Sequence, residues 1–161
     1  MFKYVVQILI GNFIFWVSVF VSWYEGSSII ENSLEWHYST PFTNRLNIEI
    51  ITGKEIVPLD YFIYAAKFQP VFPILILLSI IYIAAIVILI VVKFNRHKWA
   101  TIITIIISLF LGSFSITLTD ATTTGGKTLF IITLTSTVFL IFLLIMNLRK
   151  KSASEQLLTT V

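Results

Sequence analysis

Four long apolar stretches run through residues 4–22, 70–92, 99–119 and 128–148, and none of them contains an Asp, Glu, Lys, Arg or His. No other feature narrows the fold of this 161-residue chain as far. About 20 apolar residues in a helix cross about 30 Å of hydrocarbon. A backbone facing lipid must also satisfy its own N–H and C=O groups, which a helix does. With 57% apolar and 12% charged residues, the chain cannot furnish the polar shell of a soluble protein. The expected fold is therefore an all-α membrane protein. One four-helix transmembrane bundle would extend over residues 1–161, with an outer loop at 23–69 and a tail at 149–161.

The first stretch is longer than the apolar core of a signal peptide. The run Val19-Phe20-Val21-Ser22-Trp23-Tyr24 offers no small-x-small cleavage site, so an uncleaved helix is expected. Orientation follows from Lys and Arg near the span ends. With the N-terminus inside, Lys3, Lys93, Arg96, Lys98, Arg149, Lys150 and Lys151 face the cytoplasm beside one acid, Glu155. Arg45, Lys54, Lys67 and Lys127 then face outward with Glu25, Glu31, Glu35, Glu49, Glu55, Asp60 and Asp120. Every loop agrees, which predicts a multi-pass plasma-membrane protein with both termini cytoplasmic. The net charge of +3 does not point to nucleic acid, because the basic residues gather at span ends. The lipid bilayer is the expected partner. Trp23, Tyr24 and Trp99 stand where aromatic rings favour the headgroup layer. The chain has no cysteine, which removes disulfides, thiolate metal sites and thiol redox chemistry.

Helices in lipid meet through small and weakly polar residues. Gln7, Gly11, Ser18 and Ser22 share a face of the first span. Thr101, Thr104, Ser108, Gly112 and Ser115 form a stripe on the third, and Thr133, Ser136 and Thr137 lie on the fourth. These faces are expected to be the bundle interior, with Gln7 and Asn12 bonding between helices. The alternative is a small transporter or channel component with a Ser/Thr-lined path between helices three and four. An ion pathway ordinarily needs an ionisable group at mid-membrane, and the spans have none.

In the outer loop, Leu34–Ser39 and Leu46–Ile50 alternate apolar and polar residues as half-buried strands do. Thr52-Gly53-Lys54 reads as a turn, with Glu55–Val57 returning as a short strand. Pro58 suits the first turn of a helix. A helix over 58–68 would put Leu59, Phe62, Ile63 and Ala66 on one face, with Asp60 and Lys67 elsewhere. It would lie at the membrane interface or extend the second span outward. Glu31, Glu35, His37 and Asp60 are the only metal-ligating types in suggestive positions. On a strand, Glu35 and His37 share a face, but zinc sites take three or four convergent ligands. No nucleophile elbow or phosphate-binding glycine loop is present. No catalytic, cofactor or metal site is therefore expected. The expectation is a non-enzymatic protein whose loop residues Trp23, Tyr24, Glu35, Trp36, His37 and Tyr38 meet a protein or envelope partner, with room for a homo-oligomer.

Three loop segments carry a resemblance: Ser22-Trp23-Tyr24-Glu25-Gly26, Glu35-Trp36-His37-Tyr38-Ser39-Thr40 and Leu59-Asp60-Tyr61-Phe62-Ile63-Tyr64-Ala65-Ala66-Lys67-Phe68. They resemble a family of small, uncharacterised membrane proteins of Gram-positive spore-forming bacteria, over roughly residues 1–90. The resemblance implies a bacterial plasma membrane and assigns no activity. In architecture alone the chain is similar to claudins, whose loop cysteine pair it lacks, and such a likeness carries no function.

Overall fold

An unbroken apolar sequence gives helix α1 (Phe2–Gly26), which continues past Trp23 and Tyr24 because nothing there stops a helix. Two short 3₁₀ turns follow, Ser27–Glu31 and Ser33–Glu35, then helices α2 (Trp36–Ser39) and α3 (Pro41–Arg45). An irregular segment leads to α4 (Pro58–Phe68), which opens with Pro58 in its first turn. Next come α5 (Val71–Lys93), α6 (His97–Thr117) and α7 (Thr124–Thr159). This is a computed structural model that describes residues 2–159, with side chains for residues 2–145. The side chains of the 149–161 tail, including Arg149, Lys150 and Lys151, lie outside the described residues. Four helical segments, Phe2–Glu31, Val71–Lys93, His97–Thr117 and Thr124–Ile145, are long and apolar enough to cross a membrane.

The expected strands are absent: no strand occurs among the described residues. Leu34–Ser39 is helical because local bonds are available and a partner strand is not. The Ser39 hydroxyl donates to Glu35 Oε2 at 2.7 Å, and the Thr40 hydroxyl donates to the Trp36 carbonyl, both four residues back. Leu46–Ile50 and Glu55–Val57 form no ladder, and a lone two-stranded hairpin is marginal in water. The turn at 52–54 does form, with Gly53 at a φ of +80°. A Cβ there would also stand 2.7 Å from the Ile30 carbonyl oxygen.

The chain divides into two compact units. The first comprises residues 1–83 with 121–128, and the second 84–120 with 129–161. In the first, α1 buries the small-residue stripe Gly11, Ser18, Ser22 and Gly26. Gly26 lies directly on α4, where a Cβ would sit 2.0 Å from the Tyr61 carbonyl oxygen. In the second, α6 buries Ala100, Thr104, Ser108, Leu111 and Ser115.

Candidate functional site

The segment between α1 and α5 folds into a head with a small core. Ile29, Ile56, Tyr61 and Tyr64 are buried together, with Ile30, Trp36 and Ile50 packed against them. Two polar bonds fix the aromatic rings. Trp36 Nε1 donates to the Ile29 carbonyl at 2.8 Å, and Asn32 Nδ2 donates to the Tyr64 hydroxyl at 3.1 Å. The Trp23 ring tilts against Tyr61 with centroids 6.5 Å apart, joining the end of α1 to α4.

The charged residues of α4 organise the rest. Asp60 is 0% exposed. Its Oδ1 accepts the Phe42 N–H at 2.9 Å, and its Oδ2 accepts the Thr43 N–H at 2.8 Å and the Thr43 hydroxyl at 2.6 Å. Those are orphan amides in the first turn of α3. Thr40, the residue before that helix, cannot cap them because its hydroxyl is turned back to Trp36. Asp60 supplies the cap from another helix, and it also sits in the first turn of α4, where a carboxylate is favoured by the helix dipole. The Thr43 hydroxyl oxygen in turn accepts the Val57 N–H at 2.9 Å, which ties the start of α4 to α3. At the other end of α4, Lys67 Nζ donates to the Tyr38 carbonyl at 2.6 Å and the Ser39 hydroxyl at 3.0 Å. Thus Asp60 holds the N-terminus of α3, and Lys67 holds the C-terminus of α2.

The face of α4 that packs on the head is the one opposite its apolar stripe. Its buried face is Asp60, Tyr61, Tyr64 and Ala65. Leu59, Phe62, Ile63 and Ala66 lie on the opposite side at 100° per residue, exposed or half-buried. A break at Gln69 separates α4 from α5, so α4 is not an extension of the second span.

Among the residues expected to form an interaction surface, Tyr24 and Tyr38 are 75% and 72% exposed. His37 is exposed, its ring edge-on to Tyr38 at 5.3 Å. Glu35 engages Ser39, and Trp36 is turned into the core. Glu35 and His37 do not share a face on the helical backbone. Among the described residues no three His, Asp or Glu side chains come together as a metal site would require. Sequence reasoning placed Asp60 and Lys67 off the apolar face of α4 and gave neither a role in holding the head together. The spacing of Asp60 after Pro58, at the third position of a helix, was the one signal of a capping role.

Glu55 closes the turn before α4. Its carboxylate accepts the Thr52 hydroxyl at 2.7 Å and the Thr52 N–H at 3.0 Å, half of a capping box. These bonds, led by the Thr52 hydroxyl, hold its pKa down at about 2.

In the spans, Gly11 is buried where a Cβ would stand 2.9 Å from Ile83 Cγ1. Gln7 is half-buried. Asn12 donates to the Ile8 carbonyl of its own helix at 3.0 Å, where a bond between helices was expected. Thr104, Thr133 and Thr137 likewise donate to carbonyls four residues back, at 2.8, 2.9 and 2.8 Å. Ser108 is buried with no hydrogen-bond partner among the described residues, and a Cβ at Gly112 would meet Thr137 Cγ2 at 3.6 Å, an ordinary contact.

A family model described as a domain of unknown function, DUF4306, matches residues 5–92, which run through α1, the head and nearly all of α5. The uncharacterized protein YjdJ of Bacillus subtilis (strain 168) is 34% identical over 98 residues, covering 58% of this chain and 90% of its own length. No solved structure matches the chain. On the extent of the family match, this chain belongs to the DUF4306 family.

Proposed function

We propose that this chain is a non-enzymatic, multi-pass plasma-membrane protein with both termini cytoplasmic, whose outer head presents an interaction surface to a protein or envelope partner. The observation that carries this is the division of labour in the head. Asp60, Lys67 and Trp36 are committed to holding it together, while Leu34 and Tyr38 stand out at 83% and 72% exposure. A preorganised surface binds without the cost of ordering. The one-sided distribution of basic residues supports the orientation. Transport between α6 and α7 finds less support, because Thr104, Thr133 and Thr137 are buried with their hydroxyl protons spent inside their own helices.

The absence of native cysteine makes the test direct. Leu34→Cys and Tyr38→Cys should react with a membrane-impermeant maleimide in intact cells, and His97→Cys only after permeabilisation. A photo-activated cross-linker on those two head positions should give a discrete adduct that is missing when it is placed at Ile131, in an apolar span. The reversed labelling pattern would sink the orientation. Identical adducts from Leu34→Cys and Ile131→Cys would sink the head as the interaction surface.

A further inference from the structure

The turn between α5 and α6 ends one helix and starts the next on the same residue. Asn95 adopts a φ of +60°, its N–H donates to the Val92 carbonyl at 2.9 Å, and the Arg96 N–H donates to the Val91 carbonyl at 3.1 Å. This pair of bonds is a Schellman closure of α5. The Arg96 carbonyl then accepts the Ala100 N–H at 3.1 Å, making Arg96 the N-cap of α6. Its backbone is fixed from both sides. Its guanidinium makes no capping bond, and no hydrogen bond or ion pair with any described residue.

Arg96 lines an open groove of about 560 Å³ with Val91, Phe94, Trp99 and Ile103. Four apolar walls and one unpaired guanidinium fit an amphipathic anion. Lys98 adds positive charge, no Asp or Glu occurs between residues 61 and 119, and the one acid expected on this side of the membrane is Glu155. The guanidinium fork matches phosphate oxygens in pairs. A groove at the ends of two apolar helices, beside an exposed Trp99, lies at the headgroup level of a bilayer.

We propose that this groove holds one phospholipid with an anionic headgroup, its phosphate on Arg96 and an acyl chain along Val91, Phe94 and Ile103. The proposal rests on the membrane reading above. It is tested on the full chain in detergent by native mass spectrometry with phosphatidylglycerol and phosphatidylcholine. Phosphatidylglycerol should be retained about tenfold more strongly, and Arg96→Gln should remove about that preference. Arg96→Lys should fall between the two, since it keeps the charge and loses the fork. Ile103→Trp, which fills the groove and leaves Arg96 in place, should also lose the lipid, so the outcome does not hang on one variant's folding. Equal retention of the two lipids, unchanged binding by Arg96→Gln, or displacement by millimolar inorganic phosphate would each overturn the proposal. Carbonate extraction of cells reads the membrane assignment separately: release without detergent would sink that assignment, whatever the lipid binding in micelles.

Discussion

Replacing Asp60 with Asn exchanges one heavy atom for another of almost the same size and should loosen the whole middle of the head. The carboxylate accepts three hydrogen bonds, from Phe42 N, Thr43 N and Thr43 Oγ1. Bonds to a charged group contribute about 1.5–3 kcal/mol each, and leaving a buried donor unpaired costs about 1–3 kcal/mol. Asn keeps one acceptor and turns an N–H₂ toward a backbone N–H. Such losses are not additive within one network, so we take about 3 kcal/mol in all. At 1.4 kcal/mol per tenfold, that is a roughly 100-fold rise in local opening. Hydrogen exchange of peptides covering residues 40–57 in detergent measures it directly, because opening of one cooperative region appears there without global unfolding. Phe42, Thr43 and Val57 should lose protection together, while α5 and α6 keep theirs. Glu35→Gln, which alters only an acceptor for Ser39, should change exchange less than tenfold, about 1 kcal/mol. Wild-type protection of residues 40–57 in Asp60→Asn would refute the idea that this carboxylate assembles α3 on α4.

Three further predictions follow from the same contacts. Gly26→Ala should destabilise the head by about 3 kcal/mol, because its methyl group meets backbone at Tyr61; Ser22→Ala, one turn earlier, removes a buried hydroxyl that has no partner and should stay within about 0.5 kcal/mol, both read by thermal unfolding in one detergent. Trp36→Phe should cost about 1 kcal/mol by removing the indole bond to the Ile29 carbonyl, which keeps the Asn32 N–H, seen as earlier unfolding of the head in denaturant. The Glu55 carboxyl should titrate by NMR near pH 2; since its folded value lies below the unfolded one, the 52–55 turn is fully stabilised above the usual carboxylate range and loses that contribution as pH falls through about 2, and Thr52→Ala should move the midpoint upward.

The spans were legible because length and the absence of charge are properties of a single stretch of chain. Pro58 as the first turn of α4 was legible for the same reason. The head was not. Leu34–Ser39 satisfies a period of two, yet it also places Glu35 four residues before Ser39 and Trp36 four before Thr40, and those bonds decide in favour of a helix. The side of α4 that packs does not follow from its apolar stripe, because Leu59, Phe62, Ile63 and Ala66 lie opposite the residues that pack. Its partners are distant in sequence: Asp60 reaches back 17 and 18 residues, and Lys67 reaches back 29. Counting loop charges gave both a side of the membrane and no packing role, where one is wholly buried and the other is bound to a carbonyl.

The first unit is interrupted in sequence: the chain leaves it at Ile83 and returns at Ala121. The returning turn fits closely, for a Cβ on Gly125 would stand 2.0 Å from the Ala66 carbonyl oxygen and 2.9 Å from Pro70 Cβ. During synthesis, therefore, the Ala66–Pro70 corner goes without this contact until α6 has left the ribosome and the chain has passed Gly125.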